Sequence, residues 1–409
     1  MRIAFVSGDD VIVEGSGDPG DECGRLCAAL AARGHQVTAY VRRRDQRSPE
    51  ISTDHGYRIV TMCAGPAEAV SPPEVLPFVG DWAAELDRRW SSDPPDIVHA
   101  EGWLGGLTAQ LAARRQQVPT VQSFRGLAAT MESGPGTRNT ERARLEPLLV
   151  RNAAWVTGGS SAEVDALARL RHSRARLSVL ATGVDVERYV PAGPERIHND
   201  PYRVLCLEQN PLRCNGFDTM IRIMPRLPGA ELVIAETAAA DCRHDQQRAG
   251  LKRLAAELGV RDRVRFLGTV VGDELPTLLR SADVVACTPR QSPRATTALQ
   301  AMASGVVVVA VAVGSLSDTV VHGVTGLLPS PNKPDELVAA LKALQMQRFQ
   351  RESMAAAGRS RAVSRFTWDR IALDAHNIYE KTISQHLPNN KLAATRSQST
   401  SGEHRVAVR

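Results

Sequence analysis

The residues best placed to do chemistry lie in the stretch Cys287 to Leu328, CTPRQSPRATTALQAMASGVVVVAVAVGSLSDTVVHGVTGLL. Its first part reads as a loop carrying Arg290 and Arg294 into a helix over Thr297 to Ser304. A loop feeding a helix start gathers unpaired amides and the positive end of the helix dipole, so it suits an anion such as a phosphate. Taken alone, the same stretch also fits a plain helix–strand unit. A second candidate is the loop Gly15 to Gly20, whose amides could cradle a phosphate or a sugar, although glycine loops of this kind are common. His99, Glu101 and Trp103 follow a short apolar strand, DIVH, and would face a cleft there; a histidine satisfied in the core and a loop-packing tryptophan are the commoner arrangements. Glu236 and Asp241 follow a later strand and read as solvated loop acids. Cys23 and Cys27, one helical turn apart, read as small core residues rather than as a ligand pair. No Ser–His–Asp, metal-ligand or Walker pattern is present.

The elements that must position these residues alternate between strand and helix. Arg2 to Val6 reads as a strand, Cys23 to Arg33 as a helix with one apolar face, and His35 to Val41 as a second strand, which together make a βαβ unit. Asp96–His99, Pro119–Phe124, Ala153–Thr157 and Arg176–Leu180 continue the series as strands. The segment 192–201, AGPERIHNDP, has the composition of a linker. A second series then begins, with strands at Arg203–Leu207, Glu231–Ala235, Val264–Leu267, Asp283–Ala286 and Val306–Val311. The last is a continuous β-branched run, as expected of a strand buried on both faces of a parallel sheet. Gly305 before it is expected to stop the preceding helix in a left-handed cap. The reading is therefore an α/β chain of two doubly wound domains, residues 1–192 and 193–365. An amphipathic helix over 366–385 and a polar tail over 386–409, expected to be disordered, follow. Two such domains imply a cleft faced by the carboxyl ends of both sheets.

Bulk properties narrow the functional classes. The chain has 409 residues, 43% hydrophobic and 23% charged, as in an ordinary globular protein. A net charge of +5 over this length is too dilute to argue for nucleic acid and suits acidic substrates or a membrane surface only weakly, and the case for a membrane or protein partner is correspondingly weak. No apolar run reaches the ~18 residues that a membrane span needs. The N-terminus, MRIAFVSGDD, reads as a first strand and not as a signal peptide. Seven scattered cysteines without a CxxC pair argue against a disulfide framework and fit a reducing cytoplasm.

In order along the chain, ARGHQVTAYVRR (32–43), DIVHAEGWLGG (96–106), GVDVERYVP (183–191), VRFLGTV (264–270), LQAMASGVVVVA (299–310) and GVTGLL (323–328) carry a resemblance. Together they are similar to the family 4 glycosyltransferases of the two-Rossmann-domain GT-B type, near the actinobacterial inositol-phosphate N-acetylglucosaminyltransferases and the sucrose-phosphate synthases. The resemblance covers about residues 1 to 383. It implies transfer of a sugar, with retention, from a nucleotide diphosphate sugar to an acceptor hydroxyl. It also implies a donor on the C-terminal domain, an acceptor on the N-terminal one, a C-terminal helix returning to the N-terminal domain, and neither a metal nor a separate cofactor. The helix start at Thr296 would face the donor diphosphate.

Several positions depart from the family's pattern. Where the family has two glutamates eight residues apart, this chain has Ser292 and Gln300. Where the family's diphosphate clamp carries Arg and Lys, Asn210 and Asn215 stand. The family's H-S-F-H becomes Gln122, Ser123, Phe124 and Arg125, and the Gly-Gly of the first loop becomes Gly17 and Asp18. Losing two cations from a diphosphate site removes about 3–6 kcal/mol, at roughly 1.5–3 kcal/mol for each charged hydrogen bond. Arg213 or Arg294 is the candidate to restore it, with solvated loop arginines as the plain alternative. Two readings stay open: a transferase with a rebuilt donor site, and a pseudo-glycosyltransferase that serves as a binding or scaffold partner. A nucleotide-sugar epimerase of the same fold is a third, which the quoted motifs do not favour.

Overall fold

The computed structural model describes residues 1–8, 22–43, 50–68, 71–124, 126–128, 140–195, 202–238, 241–291 and 294–402, with side chains described as far as residue 386. Gly17, Asp18, Arg125, Ser292 and Pro293 lie outside the described residues, as do the Gly15–Gly20 loop and most of the linker segment.

The N-terminal half is built on strands β1 (Arg2–Ser7), β2 (Gln36–Arg42), β3 (Ile51–Asp54), β4 (Tyr57–Met62), β5 (Ile97–Glu101), β6 (Thr120–Ser123), β7 (Trp155–Gly158) and β8 (Leu177–Val179). They form one sheet in the order β3-β4-β2-β1-β5-β6-β7-β8. Its strands run parallel except for β3 against β4. That antiparallel pair is a hairpin turned by His55 and Gly56, both at positive φ (41° and 83°), as a tight two-residue hairpin loop requires. The C-terminal half uses β9 (Tyr202–Glu208), β10 (Ala230–Glu236), β11 (Val264–Thr269), β12 (Val284–Cys287), β13 (Val307–Ala310) and β14 (Gly326–Leu327). They form a second sheet, wholly parallel, in the order β11-β10-β9-β12-β13-β14. In both sheets the order reverses beside the first strand. That reversal is where open α/β sheets leave a crevice at their carboxyl ends.

Burial explains why these runs are strands. Every residue of β5, β10, β12 and β13 is buried, so each apolar run is covered by helices on both faces. The helix ahead of β13 spans Thr296–Ala303, and Gly305 follows at φ +73°. The final helix, Trp368–Gly402, leaves the C-terminal half and packs on the Glu22–Ala32 helix. There Ile371, Ala375, Ile378 and Tyr379 join Cys23, Cys27 and Leu30 in one core. Cys23 and Cys27 are thus packing residues. Gly183 leaves room for this return, because a Cβ there would lie 2.5 Å from the Trp368 ring. The helix is described as far as Gly402.

Among the described residues no helix is long and apolar enough to cross a membrane.

Candidate functional site

Two loops at the carboxyl ends of β9 and β12 are locked together. Gly216 sits at φ +82°, and a Cβ there would fall 1.8 Å from the Thr288 carbonyl oxygen. The Thr288 hydroxyl donates to the Gly216 carbonyl at 3.0 Å, and the Arg290 amide donates to the Cys214 carbonyl at 2.8 Å. Only glycine permits this approach. The loop holding Asn210 and Asn215 is thereby fixed against the loop that runs into the Thr296–Ala303 helix. Asn215 Nδ2 donates to Asn210 Oδ1 at 2.9 Å and to the Asn210 carbonyl at 3.0 Å, so the two asparagines occupy one turn. The helix start has no side-chain cap: its N-cap is Ala295, so the first-turn amides keep their capacity for an anion. The Thr296 hydroxyl points away, donating to Glu22 Oε1 at 2.8 Å. Gln300 is buried, and lines a small cavity between the halves with Glu22, Thr296 and Trp368.

The two arginines considered for the donor site behave differently. Arg213 is 77% exposed, with Asp218 4.0 Å away, as a solvated loop arginine would be. Arg294 crosses to the N-terminal half. Its Nε donates to Glu22 Oε2 at 2.7 Å and its Nη2 to Glu101 Oε1 at 3.1 Å. Glu22 begins the Glu22–Ala32 helix, and Glu101 ends β5, where the chain turns through Gly102 at φ +72° into the next helix. These three residues share a cavity with His99, Ser123 and Phe124. Glu163 lies behind it, its side chain close to Gly158, which lines the cavity. Its Oε2 accepts from the Gly159 amide at 2.7 Å, while its backbone amide donates to the Ser160 hydroxyl. This reciprocal pair caps the helix Ser161–Arg171. Burial pushes the Glu163 carboxyl up to about 7, with the Gly159 hydrogen bond and the Arg294 charge opposing the rise.

His99 is a core residue. Its Nδ1 lies 2.6 Å from the Tyr379 hydroxyl and its Nε2 2.7 Å from the Ser123 hydroxyl, which meets Thr157 Oγ1 at 2.5 Å. This polar ladder ties β5, β6 and β7 to the returning helix. Burial drives the His99 pKa down to about 3, so the ring stays neutral. Trp103 is buried in the core and belongs to packing, not to a stacking surface. Gln122 fills a slot against Gly106 and donates to the carbonyls of Ala100 and Gly102. Glu236 is held by Arg248 at 2.8 and 2.7 Å, so it is a paired acid rather than a solvated one. Arg248 also donates to the Asp241 carbonyl. Among the described residues, no three His, Cys, Asp or Glu side chains gather to hold a metal.

Sequence reasoning missed Glu22, Glu163 and Glu208. Glu22 had a signal, an acid opening a helix after a Gly/Asp-rich loop, but nothing in one dimension pairs it with Arg294. Glu163 reads as a helix-start acid and nothing more. Glu208 ends β9, one residue before the Gln209–Gly216 loop; its carboxyl is desolvated enough to be pushed up to about 8.

Two facing parallel-sheet halves, with an uncapped helix start at the cleft and a helix returning from one half to the other, define a GT-B architecture. The comparisons agree. Residues 19–183 match the family model described as a glycosyl transferase 4-like domain, and residues 195–361 match that of glycosyl transferases group 1. A D-inositol 3-phosphate glycosyltransferase from Xylanimonas cellulosilytica is 30% identical over 376 residues, covering 87% of this chain and 89% of that protein. A relative of the same name from Salinispora tropica is 30% identical over 316 residues, 71% of this chain and 65% of its own length. A sucrose-phosphate synthase from Thermosynechococcus elongatus has the same fold, with a TM-score of 0.80 at 23% identity, over 94% of this chain and 100% of that one. The chain belongs to the family 4 glycosyltransferases, of the GT-B fold.

Proposed function

We propose that this family member transfers a sugar, with retention, from a nucleotide diphosphate sugar on its C-terminal half to an acceptor hydroxyl held by its N-terminal half. The observation that carries this reading is the Gly216–Thr288 lock, which sets the Asn210–Asn215 turn beside the uncapped start of the Thr296–Ala303 helix. In this reading the first-turn amides meet the diphosphate, and Asn210 and Asn215 offer neutral donors where a cationic clamp would stand. Gln300 takes the place of an acid that would hold the ribose. Ser292, Arg125 and Gly17 complete the site by family position alone. Neutral donors hold a dianion less tightly, so donor affinity is low and the barrier to transfer high relative to a clamped site. A cytoplasmic setting belongs to the same reading, supported by seven cysteines scattered along the chain without a CxxC pair.

The test is a calorimetric titration with UDP, GDP and ADP sugars on the native protein and on Asn210→Arg/Asn215→Lys. Native binding in the millimolar to high-micromolar range, tightened about tenfold or more by the restored cations, is expected. Absence of binding by every nucleotide to both proteins would overturn the reading.

A further inference from the structure

A second cavity opens at the amino-terminal edge of the first sheet, at the other end of β1 and β2 from the cleft. It measures about 300 Å³ and is walled by β1, β2, the β3–β4 hairpin and the residues that follow the helix Val79–Ser92. Strand pairing sets Ala4 beside Thr38, Thr38 beside Arg58 and Arg58 beside Thr53, so these four side chains form one row on one face of the sheet. Tyr40, two residues past Thr38, stands on the same face and lines the cavity too. The row is hollow for two reasons. Ala4 offers only a methyl group, and the covering helix ends at Ser92, two residues after the Trp90 that packs on Tyr40.

We propose that this cavity binds a small hydroxylated anion, a sugar acid or a sugar phosphate, with its oxyanion on the Arg58 guanidinium and a further oxygen on the Tyr40 hydroxyl. Two donors without acceptors point to it. Among the described residues the Arg58 guanidinium has no ion pair and no hydrogen bond. Tyr40 is 6% exposed, yet its hydroxyl proton meets no acceptor among those residues. Its polar neighbour, the Trp90 indole N–H, can only donate. A buried tyrosine hydroxyl ordinarily has a partner, so an acceptor is due from outside the chain. Burial pushes the Tyr40 hydroxyl above its ordinary value, so it keeps its proton and remains a donor, and the Arg58 charge is felt there.

The ligand's chemistry follows from the lining. A guanidinium fork grips a carboxylate or a phosphate through two N–H bonds. A neutral sugar leaves that charge unmet, and a cation is repelled by it. Asp93, the acid among the described lining residues, is engaged by Arg2 at 3.2 Å. Gln36, Thr38 and Thr53 add an amide and two hydroxyls, which suit the hydroxyls of a sugar.

The experiment is calorimetry on the full chain with glucuronate, glucose 6-phosphate and glucose, each with and without excess UDP. At least one of the two anions is expected to bind about tenfold tighter than glucose, with or without UDP, and the tighter one identifies carboxylate or phosphate as the charge the site reads. Arg58→Met should weaken that anion about tenfold, and Tyr40→Phe, which removes only the hydroxyl, about fivefold. Both variants should keep the native circular dichroism and the wild-type response to UDP. Arg58 is exposed, so Arg58→Met decides the matter even where Tyr40→Phe disturbs the core. Equal binding of all three probes would overturn the proposal, as would absence of binding by both anions, their displacement by UDP, or an affinity unchanged in Arg58→Met. The nucleotide titration reads the donor site separately, so a failure of the transferase reading and a failure of this site are told apart.

Discussion

Arg294 reaches from the loop after β12 to two acids of the N-terminal half, Glu22 and Glu101, and its removal is worth working through. In Arg294→Met the aliphatic stem survives, while Glu22 and Glu101 lose a charged donor at 2.7 and 3.1 Å. The three side chains are 22%, 12% and 7% exposed, so the carboxylates stay largely out of water. Breaking one partner out of a buried ion pair typically costs about 3–5 kcal/mol. The residual exposure of Arg294 admits some water to the gap, which argues for the lower end and a loss of about 2–3 kcal/mol. Urea unfolding of wild type, Arg294→Met, Glu101→Gln and the double variant measures it directly. The cycle should return a coupling of about 1–3 kcal/mol between residues 294 and 101. A coupling near zero would refute the contact, because a solvated loop arginine gives that result.

Other outcomes follow from single groups. Burial keeps the Glu208 proton on in the native state between its ordinary value of 4.5 and about 8, so its contribution to stability falls as pH rises through that window. Glu208→Gln should therefore stabilise the protein by about 2–4 kcal/mol on the alkaline side and hardly at all in acid, read as Tm against pH. Gly216→Ala forces a Cβ to 1.8 Å from the Thr288 carbonyl oxygen at φ +82°, so it should lower Tm and abolish nucleotide binding in a titration. Tyr379→Phe removes the partner of His99 Nδ1 inside the core and should cost about 1–3 kcal/mol in urea unfolding, with the circular dichroism of the native state unchanged.

Much of the fold is legible in one dimension because parallel sheets leave a strong trace. The apolar run at β13 and the strand–helix alternation at β1 and β2 reflect strands buried on both faces, and Gly305 reflects a left-handed cap that few other residues accept. The hairpin at His55–Gly56 and the helix Val79–Ser92 are silent by comparison. One relies on a short edge pairing, and the other covers the sheet with a stripe of Trp82, Leu86 and Trp90 among charged neighbours. Position along the chain is enough to find the Asn210–Asn215 loop, since strand ends and glycine turns announce it. It cannot find the acid cavity. Glu22, Glu101, Glu163 and Arg294 come from four separate segments, and their meeting depends on how the two halves face each other. Charge that is paired across 193 residues looks, in a sequence, like ordinary surface charge.

The central claim is transfer from a nucleotide diphosphate sugar, and mass spectrometry tests it most directly. The protein is incubated with UDP-, GDP- and ADP-hexoses and a panel of neutral and amino-bearing sugar acceptors, and both products are followed. The account predicts release of one nucleoside diphosphate together with an acceptor heavier by one hexose, joined with retained anomeric configuration. Nucleotide binding in the titration without any glycosylated product from any donor and acceptor pair would contradict it.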